Sequence, residues 1–219
     1  MYDSPLEFSK IYMKKLLAIL ERIGHQEVAV AIALIEQAVL ERKKIFFLGN
    51  GGSVATCSHF VCDMIGISAR SGIHIDAINL AENASAITAI ANDFGYENIF
   101  THQLKHLLAP GDVLVAISAS GNSRNLLNAV EFAKSKGNSC IGIIGFDGGL
   151  LKCLSDVVIF VESAHGEYGA VEDAHLVIAH IITDYFKGKL LQLSQFATSL
   201  QSKQSNEVEV HGRVSLGNR

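Results

Sequence analysis

The chain has 219 residues, a formal net charge of −4, and 18% charged against 49% hydrophobic side chains. That is enough apolar material for one domain with a buried core, and for a subunit interface besides. No basic block exceeds Arg42-Lys43-Lys44, which excludes the footprint of a nucleic-acid groove, and no apolar run reaches the roughly eighteen residues of a membrane span.

The start, MYDSPLEFSK, has no basic-then-apolar signal pattern, and Cys57, Cys62, Cys140 and Cys153 lack CxxC spacing. They read as free buried thiols in a reducing compartment, so a cytoplasmic protein is expected, with no membrane and no direct nucleic-acid partner.

In chain order, apolar periodicity predicts helices over Phe8–Leu20 and Val28–Leu40, separated by Gly24-His25-Gln26. The second is apolar over more than one stripe, so residues 1–44 are expected to pack against their counterparts in a homodimer or homotetramer. From Ile45 strands and helices alternate. Strands are expected at Ile45–Leu48, Ile73–Asn79, Val113–Ile117, Ser139–Ile144 and Val157–Val161. Helices are expected at Ser53–Ile65, Ala84–Ala91, Ile99–Leu108, Ser123–Lys136 and Val171–Phe186. Such alternation means an α/β domain over 45–193, a doubly wound, five-stranded parallel sheet flanked by helices behind an N-terminal helical pair. Residues 194–219, rich in Gln, Ser, Glu and Asn, read as a mobile polar tail.

Two loops carry the chemistry. Gly49-Asn50-Gly51-Gly52-Ser53 turns a strand into a helix, with Ser53 placed to cap it. Backbone N–H groups and the positive helix end converge there on an anion. On that helix His59 and Asp63 share a face one to two turns further on, at about the span of a small sugar chain. A His/Asp pair at this spacing is more often a solvated helix pair than a functional one. The second loop, Ser118-Ala119-Ser120-Gly121-Asn122-Ser123, follows a strand and precedes a helix, forming a phosphate cradle of hydroxyls and N–H groups without a lysine. By itself it would pass for a serine-rich turn with an ordinary cap; two such corners in one sheet favour a phosphorylated ligand. A dinucleotide site fits poorly: the first loop lacks the third glycine of GxGxxG, and Asp76 falls inside the predicted second strand instead of at its end.

GNGGS with the helical His59, the segment AITAIANDFGYENIF, the loop AISASGNSRNLLNAV and the helix VEDAHLVIAH together resemble the sugar isomerase (SIS) domain family, and within it the phosphoheptose isomerases. The resemblance spans about Ile11 to Lys187. It implies an aldose-ketose isomerase acting on sedoheptulose 7-phosphate or a related sugar phosphate through an enediol, as a homotetramer with sites at subunit boundaries. It places Asn50, Gly51, Gly52, Ser53, Asn92, Asp93, Ser118, Ala119, Ser120 and Ser123 against the substrate. It makes His180 and the position of Asp63 the acid/base pair; Glu172, eight residues before His180 on one helix and so able to face the same cleft, is a further candidate catalytic carboxylate. Some members of the family bind zinc there, with His59 at the metal-site histidine, and the two histidines and two carboxylates of His59, Asp63, Glu172 and His180 suit a divalent metal, zinc first. Three positions depart from the family: Asp63 stands where the isomerases carry Glu, Glu172 where they carry Gln, and Ile67 where they carry Arg. The competing expectation is a non-catalytic SIS protein, a sugar-phosphate sensor or a scaffold similar to the DnaA initiator-associating protein. His175 reads as a structural histidine, and His165 and Tyr168 fall in the loop where the family places a sugar-contacting segment.

Overall fold

A computed structural model of the chain describes residues 4–215, with side chains as far as 193. Five strands, β1 (Lys44–Leu48), β2 (Asp76–Asn79), β3 (Val113–Ser118), β4 (Ser139–Ile144) and β5 (Val157–Phe160), form one sheet in the order β2-β1-β3-β4-β5, parallel throughout. Their runs are apolar because both faces are covered. Ile45, Phe47, Val113, Val115 and Ile117 point to one cluster, while Phe46, Leu48, Leu114 and Ala116 point to the other.

The first face is covered by α1 (Pro5–Leu20), α2 (His25–Leu40), α3 (Gly52–Ser71) and α8 (Tyr168–Ser215). The second is covered by α4 (Ala84–Phe94), α5 (Ile99–Leu107), α6 (Arg124–Ser135) and the short α7 (Leu151–Leu154). From β1 the chain winds out to β2 through α3, and from β3 it winds the other way to β4 through α6. The carboxyl ends of β1 and β3 therefore flank the switch point, where such sheets open a crevice for ligands. Both loops singled out in the sequence lie there.

The expected doubly wound sheet is found, with shifts at its boundaries. α3 runs to Ser71 instead of Ile65, so β2 begins at Asp76 and not Ile73; Ile73 and Ile75 are held in the connection by N–H bonds to the Ser71 and Ser68 hydroxyls. The cap of α3 is Gly51, at φ +53, and not Ser53. Ser53 already lies in the helix, its N–H donating to the Asn50 carbonyl at 3.0 Å.

The late helix expected over Val171–Phe186 starts at Tyr168 and continues as helical backbone to Ser215, through most of the segment expected as a tail. Gly188 is isolated there and no proline follows Val171, so nothing in the sequence stops the helix. The expected mobility of 194–219 falls on side chains and terminal residues outside the described ones. Among the described residues no single helix is long and apolar enough to cross a membrane.

Candidate active site

The two corners are built as neighbours because β1 pairs directly with β3. Asn50 and Asn125, the latter in the first turn of α6, exchange side-chain hydrogen bonds of 3.0 and 2.9 Å. Tyr96, in a 3-10 turn over Tyr96–Asn98, donates its hydroxyl to Asn50 Oδ1 at 2.9 Å. The Asn50 amide is thus a strut that fixes the first loop to the second. In the second loop the Ser118 hydroxyl accepts from Gly121 N–H at 3.0 Å and the Ser120 hydroxyl from Asn122 N–H at 3.3 Å. Ser123 caps α6, so the serines curl around a helix N-terminus where free N–H groups gather. Ser53 and Ser118 are buried at 5% and 6% exposure.

α3 and α8 pack side by side and run in the same direction. Gly52 meets Glu172, His59 meets His180, and Asp63 meets Thr183, so position rises together along both. At the upper end the Glu172 carboxylate lies so close to Gly52 that a Cβ built on that glycine would be 2.3 Å from Oε2. About 10 Å further along the axis, His59 and His180 share a hydrogen bond between their Nε2 atoms at 2.8 Å. Asp63 Oδ2 stands 3.6 Å from His59 Nε2 and accepts from the Thr183 hydroxyl at 3.2 Å.

Ligand atoms of His59, Asp63 and His180 all lie within 4.8 Å of one another, a spacing and donor set suited to a divalent ion of the zinc type. Glu172, expected as the fourth ligand, is not in this triad; it belongs to the glycine corner. The reason is helical geometry: eight residues separate it from His180, which is about 12 Å along α8.

Asn92 and Asp93, expected near the sugar, lie exposed towards the end of α4 and bond to each other at 2.7 Å. Among the described residues no hydrogen bond joins them to a corner or to the triad. Asn125, Tyr96 and Thr183 went unnoticed in the sequence. No signal in the sequence marks them, because their pairing with Asn50 and Asp63 belongs to the fold. In the loop before α8, His165 and Tyr168 flank the Phe146 ring, with centroids at 4.9 and 5.0 Å. A small recess of about 60 Å³ below the triad is lined by Asp63, Ile67, Arg70, Thr183, Asp184 and Lys187. A larger cleft of about 600 Å³ lies elsewhere, against β5 and α2, and contains none of these groups.

A parallel sheet with a serine cradle at its switch point, and a carboxylate and imidazole groove beside it, defines an α/β domain of the phosphosugar-binding class. The SIS domain family profile matches residues 11–145. A phosphoheptose isomerase of Nitratiruptor is 40% identical over 146 residues, covering 67% of this chain and 77% of its own. That of Geotalea daltonii is 37% identical over 175 residues, covering 78% and 90%. The solved phosphoheptose isomerase of Neisseria gonorrhoeae superposes with a TM-score of 0.77 at 30% identity, over 84% of this chain and all of the other. The chain belongs to the SIS domain family, in its phosphoheptose isomerase group.

Proposed function

We propose that the protein interconverts sedoheptulose 7-phosphate and the corresponding aldose phosphate. The observation that carries this reading is that α3 and α8 bring His59, Asp63 and His180 together within 4.8 Å and set Glu172 against Gly52, at the corner beside the serine loop. The identities reported above support the same substrate. The reaction removes a proton from C1 of the ketose, passes through an enediol, and returns a proton to C2, with O1 losing and O2 gaining one.

Glu172, the carboxylate outside the triad, moves the carbon-bound proton of a C1–C2 unit that lies between it and the triad. Asp63 and His180 handle the oxygen protons. Ser53, Ser118, Ser120 and Ser123 seat the phosphate, and Asn50 holds the two loops together. Asn92 and Asp93 meet the sugar from α4. His59, Asp63 and His180 would hold a divalent cation, zinc by the donor set, whose chemistry when bound is to steady the charge on the sugar oxygens.

The protein acts as a homo-oligomer, a tetramer by resemblance. Leu6, Met13 and Leu17, 66%, 57% and 56% exposed, form one stripe on α1 that a second copy would cover. A monomeric mass by light scattering would remove that part.

Incubation with sedoheptulose 7-phosphate in deuterated water should introduce deuterium at C1 and C2. Glu172→Gln and His180→Ala should abolish exchange while leaving phosphate-ligand binding intact. Unchanged exchange in either variant removes that residue from the mechanism.

A further inference from the structure

The helix that carries Glu172 is latched at its first turn by a helix distant in sequence. Tyr12 of α1 donates its hydroxyl to Asp173 Oδ2 at 2.5 Å, and the same hydroxyl stands 3.1 Å from where a Cβ on Gly169 would lie. Lys15, one turn further along the same face, pairs with Glu167 at 2.5 Å. Arg22, in the turn after α1, donates to the Glu162 carbonyl at 3.0 Å. These three contacts tie α1 and the turn after it to the connection from β5 and to the start of α8. Asp173 is the neighbour of Glu172, whose carboxylate sits against Gly52.

We propose that Tyr12 is a positioning residue for catalysis: through Asp173 it fixes the first turn of α8 and so the place of the Glu172 carboxylate over Gly52. This rests on the role proposed above for Glu172. The contact is well suited to the task. A phenol bonded to a carboxylate is a strong donor, and the Tyr12 hydroxyl is pushed up to about 12, first by the Asp173 bond and then by burial, so it stays protonated across the working range. The opposite face of α1 carries the Leu6, Met13 and Leu17 stripe, so a partner covering that stripe would press α1 onto its latch.

Tyr12→Phe keeps the ring and removes the bond. On sedoheptulose 7-phosphate it should lower kcat on the order of tenfold with KM within about twofold, because the phosphate seat is untouched while the carboxylate wanders. Asp173→Ala should do the same, and the double variant should be no worse than either single. Asp173→Asn retains an acceptor for the hydroxyl and should stay within about twofold of the parent. Turnover of Tyr12→Phe within twofold of the parent, or multiplied losses in the double variant, overturns the proposal.

Glu172→Gln, run beside these, separates the two ideas. If it turns over normally, the catalytic reading of Glu172 fails, and amide exchange then decides the latch by itself. Tyr12→Phe should quicken exchange over Tyr168–Asp173 at least about tenfold and leave Ile178–Phe186 unchanged. Equal protection in both proteins overturns the latch.

Discussion

Replacing Gly52 by alanine tests the Glu172 assignment without touching Glu172. The added Cβ would stand 2.3 Å from Oε2, and its three nearest atoms all belong to the Glu172 carboxylate. Ordinary contact begins near 3.4 Å, so the carboxylate must withdraw by about 1 Å, which a flexible side chain does at little cost in stability. Gly52 does not share the left-handed backbone of Gly51, and alanine in a helix gains up to about 1 kcal/mol over glycine. The variant should therefore melt at or slightly above the parent temperature. A 1 Å displacement of a catalytic group lowers rate on the order of a hundredfold, or about 2.7 kcal/mol in the barrier. Turnover of sedoheptulose 7-phosphate, with calorimetric binding of a sugar phosphate as control, reads both. Full turnover would refute the catalytic position of Glu172. A loss of binding equal to the loss of rate would refute it too, by making the corner a mere seat.

His175 is wholly buried, neither ring nitrogen meets a partner at full hydrogen-bond geometry, and burial pushes its pKa down to about 3, outweighing the nearby Ile144 backbone, which acts the other way. The unfolded chain takes up this proton below about pH 6.5 while the folded one does not, so the stabilisation is complete above that pH and is lost as pH falls towards 3. The loss between pH 7 and 5 is about 2 kcal/mol, and chelator-treated His175→Leu should show a correspondingly smaller drop in urea midpoint; equal drops would contradict it. His59→Ala should lose at least about tenfold in zinc affinity by equilibrium dialysis, and undiminished binding would place the ion elsewhere. Gly121 has φ +63 and would set a Cβ 2.0 Å from the Gly148 carbonyl oxygen. Gly121→Ala should thus cost about 2–4 kcal/mol in denaturant unfolding, and a change under about 0.5 kcal/mol would show that the serine loop is not pinned there.

The strand-turn-helix corners were legible because glycine and serine punctuate them in sequence. Ser53 looked like a cap, yet Gly51 takes that place, since only a residue at ease with φ +53 can make the turn that tightly. The pairing of His59 with His180 was readable only through the resemblance, because the register of two helices packed side by side is a tertiary fact. The same holds for Thr183 on Asp63 and for Tyr96 and Asn125 on Asn50. Each is an ordinary polar residue until the fold brings its partner. Glu172 shows what spacing alone leaves open: eight residues from His180 put it on roughly the same side of α8, but about a dozen ångströms along the axis separate a member of the triad from a neighbour of the glycine corner.

The direction of the two helices has a consequence for where charge can sit. α3 follows β1 and α8 follows β5 in a parallel sheet, so both return antiparallel to the strands and present their positive ends at the same edge. The Glu172 carboxylate lies within the first turns of both, against Gly52. A phosphate seated on the α3 end would meet that carboxylate at close range. The α6 end, one strand over, offers Ser118, Ser120 and Ser123 with no acidic side chain in the loop. On the proposed reading the phosphate therefore settles chiefly on the α6 end, with Ser53 reaching it from α3, and the sugar chain is drawn across β1 towards the triad. The reacting carbons are then carried past Glu172 instead of away from it.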